Sequence, residues 1–365
     1  MYNVIHLFGS FNIGGAEILA YDVCKHFPQE YGHTIVVTYR GGELERRFEK
    51  EGLSIHYIPL DSSRFGFIKQ LRKLIIDHQI NIIHIHKGLD VLYVKAAAMG
   101  LDVKIVQTVH SIGNGRLYWF LRKGAKMFSD HITFVSKDVR DHYENKEMLP
   151  SNQSILYNGI EPRKMETTDT ILGELNLNES SIIAGMIGNF KNDVRDQFTI
   201  CKALKSILKK HPDFHFLFVG GKSKIKPHFF DECYNFCERN DMLENVHFLG
   251  TRPDVPEILA SLDLFVYSSN RDTFGIAVVE AMMSGTPVIV NDLPVFQEIT
   301  DNGTYAQLYK TKNADDLAEK IEYFINHPEK RKELGERGRQ YALENYSIEK
   351  HIEQLHVIYT ELLSD

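Results

Sequence analysis

The sequence predicts an α/β chain built from two doubly wound parallel sheets. Three observations predict it. Short apolar strands alternate with amphipathic helices through almost all of the 365 residues, and strands separated by helices run parallel. Several strands exit into glycine or small polar residues, as befits the carboxyl ends of a sheet where such folds hold their ligands. The length favours two cores, and a polar stretch with a proline, Glu161 to Ser181, divides the alternation. A hydrophobic content of 43% and a charged content of 25% exclude a disordered or fibrous chain.

In the first half, Asn3 to Phe8 is an apolar strand. The loop Gly9-Ser10-Phe11-Asn12-Ile13-Gly14-Gly15 leads into a helix from Ala16 to Phe27. A glycine pair between a first strand and a first helix lets backbone approach a ligand closely. The pattern is not GxGxxG, so a dinucleotide fingerprint is not supported. Thr34 to Thr38 reads as a strand, Glu43 to Lys50 as a helix, Ser54 to Ile58 as a strand and Phe67 to His78 as an amphipathic helix. Asn81 to His86 (NIIHIH) is a buried strand, Leu89 to Met99 a helix and Val103 to Thr108 the next strand. Histidines close two of these strands: His84 and His86 on one, His110 after the other. Among 17 histidines, His84 and His86 read as structural or surface residues, since no further ligand at metal spacing accompanies them. Gly115 to Phe128 sets Tyr118, Trp119 and Phe120 among Arg116, Arg122, Lys123 and Lys126. Two readings stay open for it: a core helix with a solvated basic edge, and a contact with an anionic membrane surface. His131 to Val135 and Ser136 give another strand and helix start, and Ile155 to Ile160 (ILYNGI) closes the half.

Ile182 to Ile187 opens the second sheet, followed by Gly188-Asn189-Phe190-Lys191-Asn192-Asp193-Val194-Arg195-Asp196. Arg195 presents a planar fork suited to phosphate oxygens. Asn189 supplies no charge, and Lys191 is the cation beside it. Gln197 to Lys210 is a helix, Phe214 to Val219 a strand, Gly220-Gly221 a turn, Pro227 to Asn240 a helix, Asn245 to Gly250 a strand and Asp254 to Ser261 a helix. The strand Leu262 to Tyr267 ends in Ser268, Ser269 and Asn270. Then comes the stretch the chain is organised around, Arg271 to Val290 (RDTFGIAVVEAMMSGTPVIV). Ile276 to Met283 reads as a helix with Val279, Met282 and Met283 on its buried side, Gly285 at the C-cap position and Pro287 beyond it. Its N-terminus, at Thr273-Phe274-Gly275, offers unpaired N–H groups and a partial positive charge, which suits a phosphate. Asp272 lies just before the helix. Glu280 lies two turns along it, close enough in angle to face the same crevice. Beyond, Pro294 to Ile299 carries Glu298, Ala314 to Asn345 makes two charged helices, and Ile348 to Leu363 repeats Ile352, Leu355, Ile358, Tyr359 and Leu362 at helical spacing.

The series acid, Thr-Phe-Gly, acid, Ala-Met, Gly-Thr-Pro-Val from Asp272 onward resembles the acid-x7-acid motif of retaining glycosyltransferases of the GT-B fold, family 4. Gly14-Gly15-Ala16-Glu17 resembles the family's first loop, and Asn158-Gly159-Ile160 its turn at the end of the first domain. The resemblance covers nearly the whole chain. It implies two Rossmann-like domains facing one another across a cleft: an acceptor-binding domain at 1–160, a nucleotide-sugar-binding domain at 161–346, and a helix at 347–365 that crosses back to the first. It also implies roles. Asp272, where the family usually has Glu, holds hydroxyls of the donor sugar. The amides of Thr273, Phe274 and Gly275 hold sugar and phosphate, and Glu280 holds the ribose. His110 meets the sugar near its C6 hydroxyl, while Gly14 and Gly15 face the donor phosphates and the acceptor. The family's Gly-Arg, followed by Lys-Gly or Lys-Asp, clamps the diphosphate with two cations. This chain has Asn189 and Arg195 at those places, with Lys191 nearby, so the clamp departs from the pattern at Asn189. Catalytic roles fall to Asp272, His110 and Arg195.

A formal net charge of −7 argues against a nucleic-acid partner. No signal peptide opens the chain, and no apolar run approaches the roughly 20 residues of a membrane span. The four cysteines show no metal or redox spacing. The expected location is the cytoplasm, with the inner face of the cell membrane kept open. No Asp-x-Asp metal motif stands at a strand end, so Arg195, Lys191 and helix dipoles are expected to neutralise the diphosphate, with neither cofactor nor metal. The resemblance implies retaining transfer from a nucleotide-sugar, uridine being the default base, to a glycan or lipid-linked acceptor. The product would be an α-glycosidic bond in bacterial surface polysaccharide synthesis. No nucleophile stands out, so the expected course is front-face attack, the leaving diphosphate taking the acceptor proton. Two alternatives stay open. One is a GT-B nucleotide-sugar 2-epimerase, against which the acid-x7-acid spacing argues. The other is a non-catalytic nucleotide-sugar-binding subunit, which the Asn189 departure keeps alive. A dehydrogenase lacks its GxGxxG.

Overall fold

The computed structural model describes residues 1–12, 14–59, 64–86, 91–113, 123–144, 151–162, 170–178 and 180–364. They divide into two compact units: Met1–Glu161 together with Tyr346–Asp365, and Pro162–Asn345.

The first unit holds seven parallel strands: β1 (Tyr2–Phe8), β2 (Gly32–Thr38), β3 (Ile55–Tyr57), β4 (Ile82–Ile85), β5 (Lys104–Val109), β6 (His131–Phe134) and β7 (Gln153–Ile155). Their order across the sheet is β3-β2-β1-β4-β5-β6-β7. The order reverses beside β1, which makes the β1/β4 crevice the switch point where such sheets bind ligands. Side chains alternate between faces. Ile5, Leu7, Ile83, Ile85 and Ile105 join a core with Phe67, Leu71 and Leu74 of the helix Arg64–Asp77 and with Val91, Val94 and Ala97 of the helix Val91–Ala98. Tyr2, Val4, Ile82 and Val106 pack instead on Leu19 and Val23 of the helix Gly15–His26 and on the terminal helix Ile348–Ser364.

That terminal helix is amphipathic in the way its spacing requires. Ile348, Ile352, Leu355, Ile358, Tyr359 and Leu362 are all buried, and each such burial contributes about 1.5–3 kcal/mol. The Asn158-Gly159-Ile160 turn is its landing site. The Ile160 N–H donates to the Tyr346 carbonyl at 2.9 Å, and the Ile348 N–H to the Ile160 carbonyl at 3.0 Å. A Cβ on Gly159 would stand 2.6 Å from the Cβ of His351, so only glycine lets the helix settle there. The segment Ile155 to Ile160 leaves the strand Gln153–Ile155 at its first residue, and the residues after it turn to meet this helix.

The second unit holds six parallel strands: β8 (Ile182–Ile187), β9 (Phe214–Val219), β10 (Val246–Gly250), β11 (Leu264–Tyr267), β12 (Val288–Asn291) and β13 (Gln307–Tyr309). The order is β10-β9-β8-β11-β12-β13, with its switch point between β8 and β11. The helix Ile276–Ser284 stops at Gly285, whose φ of 81° is the left-handed C-cap conformation that glycine tolerates best. Two elements are additions to the sequence reading: β13, three residues long, and the helix Thr170–Glu174 within the stretch taken as linker. Among the described residues no helix is long and apolar enough to cross a membrane.

Candidate functional site

In the second unit the loop after β8 is laid down by its neighbours. The Gly188 N–H donates to the Val219 carbonyl at 2.8 Å and the Phe190 N–H to Gly221 at 3.0 Å. A Cβ on Gly220 would collide with the Gly188 carbonyl, so the two loops touch backbone to backbone. Phe190 is 1% exposed, its ring edge-on to Phe218 and Phe230. Asn189 is exposed, and its side-chain oxygen accepts the Gly221 N–H at 2.7 Å. Where the family carries a cation, this chain has an amide that ties the β8 loop to the β9 loop. Lys191 is exposed.

Further along, the β8 loop meets the end of β11. The Asp196 N–H reaches the Ser268 carbonyl at 3.0 Å, and the Asn270 N–H reaches Val194 at 2.8 Å. Ser269 is gripped from its other side by buried Asn291, which accepts its N–H at 3.0 Å and donates to its carbonyl at 2.8 Å. This framework presents Arg195 to Asp272. A guanidinium nitrogen lies 3.1 Å from one Asp272 oxygen, with the side chains 27% and 11% exposed. The Tyr267 hydroxyl donates to the same oxygen at 3.2 Å, and the guanidinium carbon sits 5.2 Å from the centre of the Tyr267 ring, within cation–π range. Burial, with the Asp272 carboxylate adding, pushes the Tyr267 hydroxyl well above its ordinary pKa, so it stays a donor. Glu280, half-buried on the helix Ile276–Ser284, is near enough to push the same way. The structure thus brings Arg195 and Asp272 together on one tyrosine.

That helix starts at Ile276, as read from the sequence, but the N–H groups before it, expected to be unpaired, are engaged. The Thr273 N–H turns back onto the other Asp272 oxygen at 2.8 Å, and the Phe274 N–H approaches it at 3.5 Å. Phe274 is buried, Gly275 takes the N-cap position with φ of 88°, and the first helical residue is Ile276. Asp272 therefore sets the turn as well as the charge. Tyr267, Ser269 and Asn291 were not singled out from sequence; the polar exit Ser268-Ser269-Asn270 was the available signal.

In the first unit Gly14 is the N-cap of the helix Gly15–His26, and its carbonyl accepts the Ile18 N–H at 3.0 Å. A side chain on Gly14 would run into the Glu17 carboxylate, while Gly15 is exposed. His110 follows β5. Its Nε2 is 3.1 Å from His86 Nδ1, and His86 Nε2 is 3.1 Å from His6 Nδ1. Burial pushes His110 down to about 4 and His6 to about 3, so at neutral pH His110 is an uncharged hydrogen-bonding group and not a phosphate cation. His6 corrects the spacing argument against a third metal ligand. The register sets it opposite His84, and ligand atoms of His6, His84 and His86 lie within 4.8 Å of one another. Their chemistry nevertheless fits a cation poorly. His84 engages the Tyr359 and Thr108 hydroxyls, both at 2.6 Å, and both nitrogens of His86 face other imidazoles.

The aromatic-basic segment is only partly placed. Arg116, Tyr118, Trp119, Phe120 and Arg122 lie outside the described residues, while Lys123, Lys126 and Met127 are exposed, Met127 by 63%.

Two doubly wound parallel-sheet units, the second pairing an arginine with an acid at its switch point, define a glycosyltransferase of the GT-B fold. Residues 167–341 match the model of glycosyl transferases group 1, and residues 13–164 that of glycosyltransferase family 4. The chain belongs to this family 4, group 1 class, and it acts on a nucleotide-sugar donor. Among curated relatives it is 24% identical to the N-acetyl-alpha-D-glucosaminyl L-malate synthase of Bacillus anthracis over 384 residues, 97% of this chain and 96% of that one. It is also 24% identical to the capsular polysaccharide biosynthesis glycosyltransferase CapH of Staphylococcus aureus, over 82% of this chain and 84% of that one. Among solved structures, a Rickettsia africae glycosyltransferase superposes with a TM-score of 0.89 at 18% identity, covering 100% of this chain and 99% of that one. Anabaena HepE in complex with UDP-glucose does so with a TM-score of 0.85 at 17% identity, covering 99% and 100%.

Proposed function

We propose that the chain moves a sugar from a UDP-sugar to a glycan or lipid-linked acceptor, with retention and an α-glycosidic product, without a metal, in surface polysaccharide synthesis. The observation that carries this reading is the Arg195–Asp272 pair on Tyr267, at the carboxyl end of β11. UDP comes from the HepE complex and the polysaccharide context from CapH. A diphosphate competes with Asp272 for the guanidinium, whose fork matches two phosphate oxygens. Asp272 is then released toward sugar hydroxyls and the carbon that becomes cationic. Arg195, aided by Lys191, stabilises the charge growing on the leaving diphosphate, which takes the acceptor proton. Glu280 accepts from the ribose hydroxyls, and His110 gives a neutral hydrogen bond to a sugar hydroxyl. Gly14 and Gly15 leave room for phosphate and acceptor. Exposed Lys123 and Lys126 beside Met127 suit an anionic membrane surface, which would place the work at the inner face of the cell membrane.

The test pairs transfer with binding. The purified chain, screened with UDP-, GDP- and ADP-sugars, should gain thermal stability with its donor and give an α-configured product by NMR. Glu280→Gln should weaken nucleotide binding about 10- to 100-fold, since a hydrogen bond to a charged group contributes roughly 1.5–3 kcal/mol. Unchanged affinity in a folded variant removes the ribose role. A second reading, a nucleotide-sugar-binding subunit without catalysis, draws on Asn189 being engaged with Gly221 where a cation would stand. Donor hydrolysis or transfer by the purified chain excludes it.

A further inference from the structure

The face of the first sheet that lies under the terminal helix changes character along its strands. Val4, Ile82 and Val106 are apolar; the next residues on that face toward the carboxyl ends are His6, His84 and Thr108, followed on β4 and β5 by His86 and His110. Parallel register and two-residue alternation force this grouping. His86 stacks on Phe8 at 4.4 Å and on His84 at 4.4 Å. The rings form a line, His6 Nδ1 to His86 Nε2 and His86 Nδ1 to His110 Nε2, each step 3.1 Å. His84 stands beside the line, held by the Tyr359 and Thr108 hydroxyls.

A neutral imidazole has one N–H and one lone pair. In a row joined in this order the three tautomers are coupled: either every ring carries its proton on Nδ1, or every ring carries it on Nε2. The inner end of the row decides between them. His6 Nε2 is buried without a hydrogen-bond partner. Protons on Nε2 would strand an N–H at this fully buried end, whereas protons on Nδ1 put the row's free N–H on half-buried His110, where a ligand or solvent can accept it. We propose that the His6–His86–His110 row is locked with its protons on Nδ1, so that His86 acts as a positioning residue that makes His110 Nδ1 an N–H donor at the carboxyl end of β5. Among the described residues His110 Nδ1 has no hydrogen-bond partner, so the donor is available to an oxygen acceptor of a ligand. That acceptor being a sugar hydroxyl rests on the function proposed above; the tautomers do not.

The experiment is long-range ¹⁵N–¹H correlation of the imidazoles in the full chain at pH 7.5, assigned with single-histidine variants. His6, His86 and His110 should each show a protonated Nδ1 and a bare Nε2, the opposite of the tautomer that histidine favours in water. A protonated Nε2 on His86 or His110 overturns the proposal, and this needs no altered protein. In His86→Phe, which keeps a flat ring against Phe8, His110 should revert toward Nε2–H; an unchanged His110 overturns the positioning role. His86→Leu, which can neither donate nor accept, serves if the phenylalanine variant does not fold. Turnover in the same variant should fall about tenfold or more while UDP affinity stays within about twofold. Unaltered turnover with a reverted His110 removes the sugar contact and leaves the tautomer row standing, which separates failure of the functional reading from failure of this one.

Discussion

Lowering the pH from 7 to 5 should loosen the first unit through histidines that the fold holds neutral. Burial pushes His6 down to about 3 and His351 to about 4, and the two side chains are 0% and 5% exposed. In the unfolded chain both return to about 6.5. Between 6.5 and the folded values the unfolded chain binds protons that the native state refuses, so stability is full above about pH 6.5 and is lost as the pH falls. At pH 5 each of the two costs about 1.9 kcal/mol relative to pH 7, roughly 4 kcal/mol together. His84, His86 and His110 are displaced in the same direction by the same burial. Glu161 adds to the slope: its bonds to Lys25 and His26 outweigh desolvation and hold its carboxyl low. Asp138, raised by burial, opposes it. Set against the 5–15 kcal/mol by which domains are usually stable, this is a large fraction. The assay is hydrogen exchange by mass spectrometry at pH 7 and pH 5, corrected for intrinsic rates, on β1, β4 and the helix Ile348–Ser364. Protection should drop there by about 10²–10³-fold. His6→Phe, if folded, should reduce the pH dependence by about one proton. Equal protection at both pH values would refute the reasoning.

Three further outcomes follow from the second unit and its chemistry. Asp272→Asn should cut turnover strongly, about 10²-fold, by removing a charge near a carbon that becomes cationic, while UDP affinity holds or rises because Arg195 loses its competitor. Calorimetry showing a loss as severe as in Glu280→Gln would mean that the two acids do not divide sugar from ribose. Gly275→Ala should destabilise by about 1–3 kcal/mol, because φ there is 88° and a Cβ would stand 2.8 Å from the Phe296 ring; an unchanged urea midpoint contradicts the strain. Transfer should survive EDTA, since the proposed cations are side chains, and abolition with rescue by Mg²⁺ or Mn²⁺ would show the phosphate site misread.

Much of this was legible because the signals were local. The stop of the helix Ile276–Ser284 at Gly285 is a chain-local event, and so is the apolar stripe of Ile348–Ser364. What escaped was set by partners distant in sequence. Gln307–Tyr309 is too short to show a period and is a strand because β12 pairs with it. Asn189 looks like a weakened cation site until the β9 loop folds over it. His6 looks like an ordinary residue of a first strand, and only the β1–β4 register sets it among His84, His86 and His110. The Arg195–Asp272 pair joins residues whose family roles are separate, diphosphate and sugar. Sequence assigns each a ligand but does not show that each is also the other's counter-ion.

The return of the chain to its first unit bears on the order in which it folds. The second unit, Pro162–Asn345, is continuous in sequence, whereas the first lacks part of the cover on one face of its sheet until Tyr346–Asp365 arrives. At about 5–20 residues per second, the ribosome takes roughly 10–40 s to make the intervening stretch. Throughout that interval Tyr2, Val4, Ile82 and Val106 have only the helix Gly15–His26 against them and lack the second helix that completes their burial. The usual N-terminal-first sequence is therefore inverted: the later unit can close while the earlier one waits. Until the last residues emerge, that apolar strip of the first unit has only partial cover.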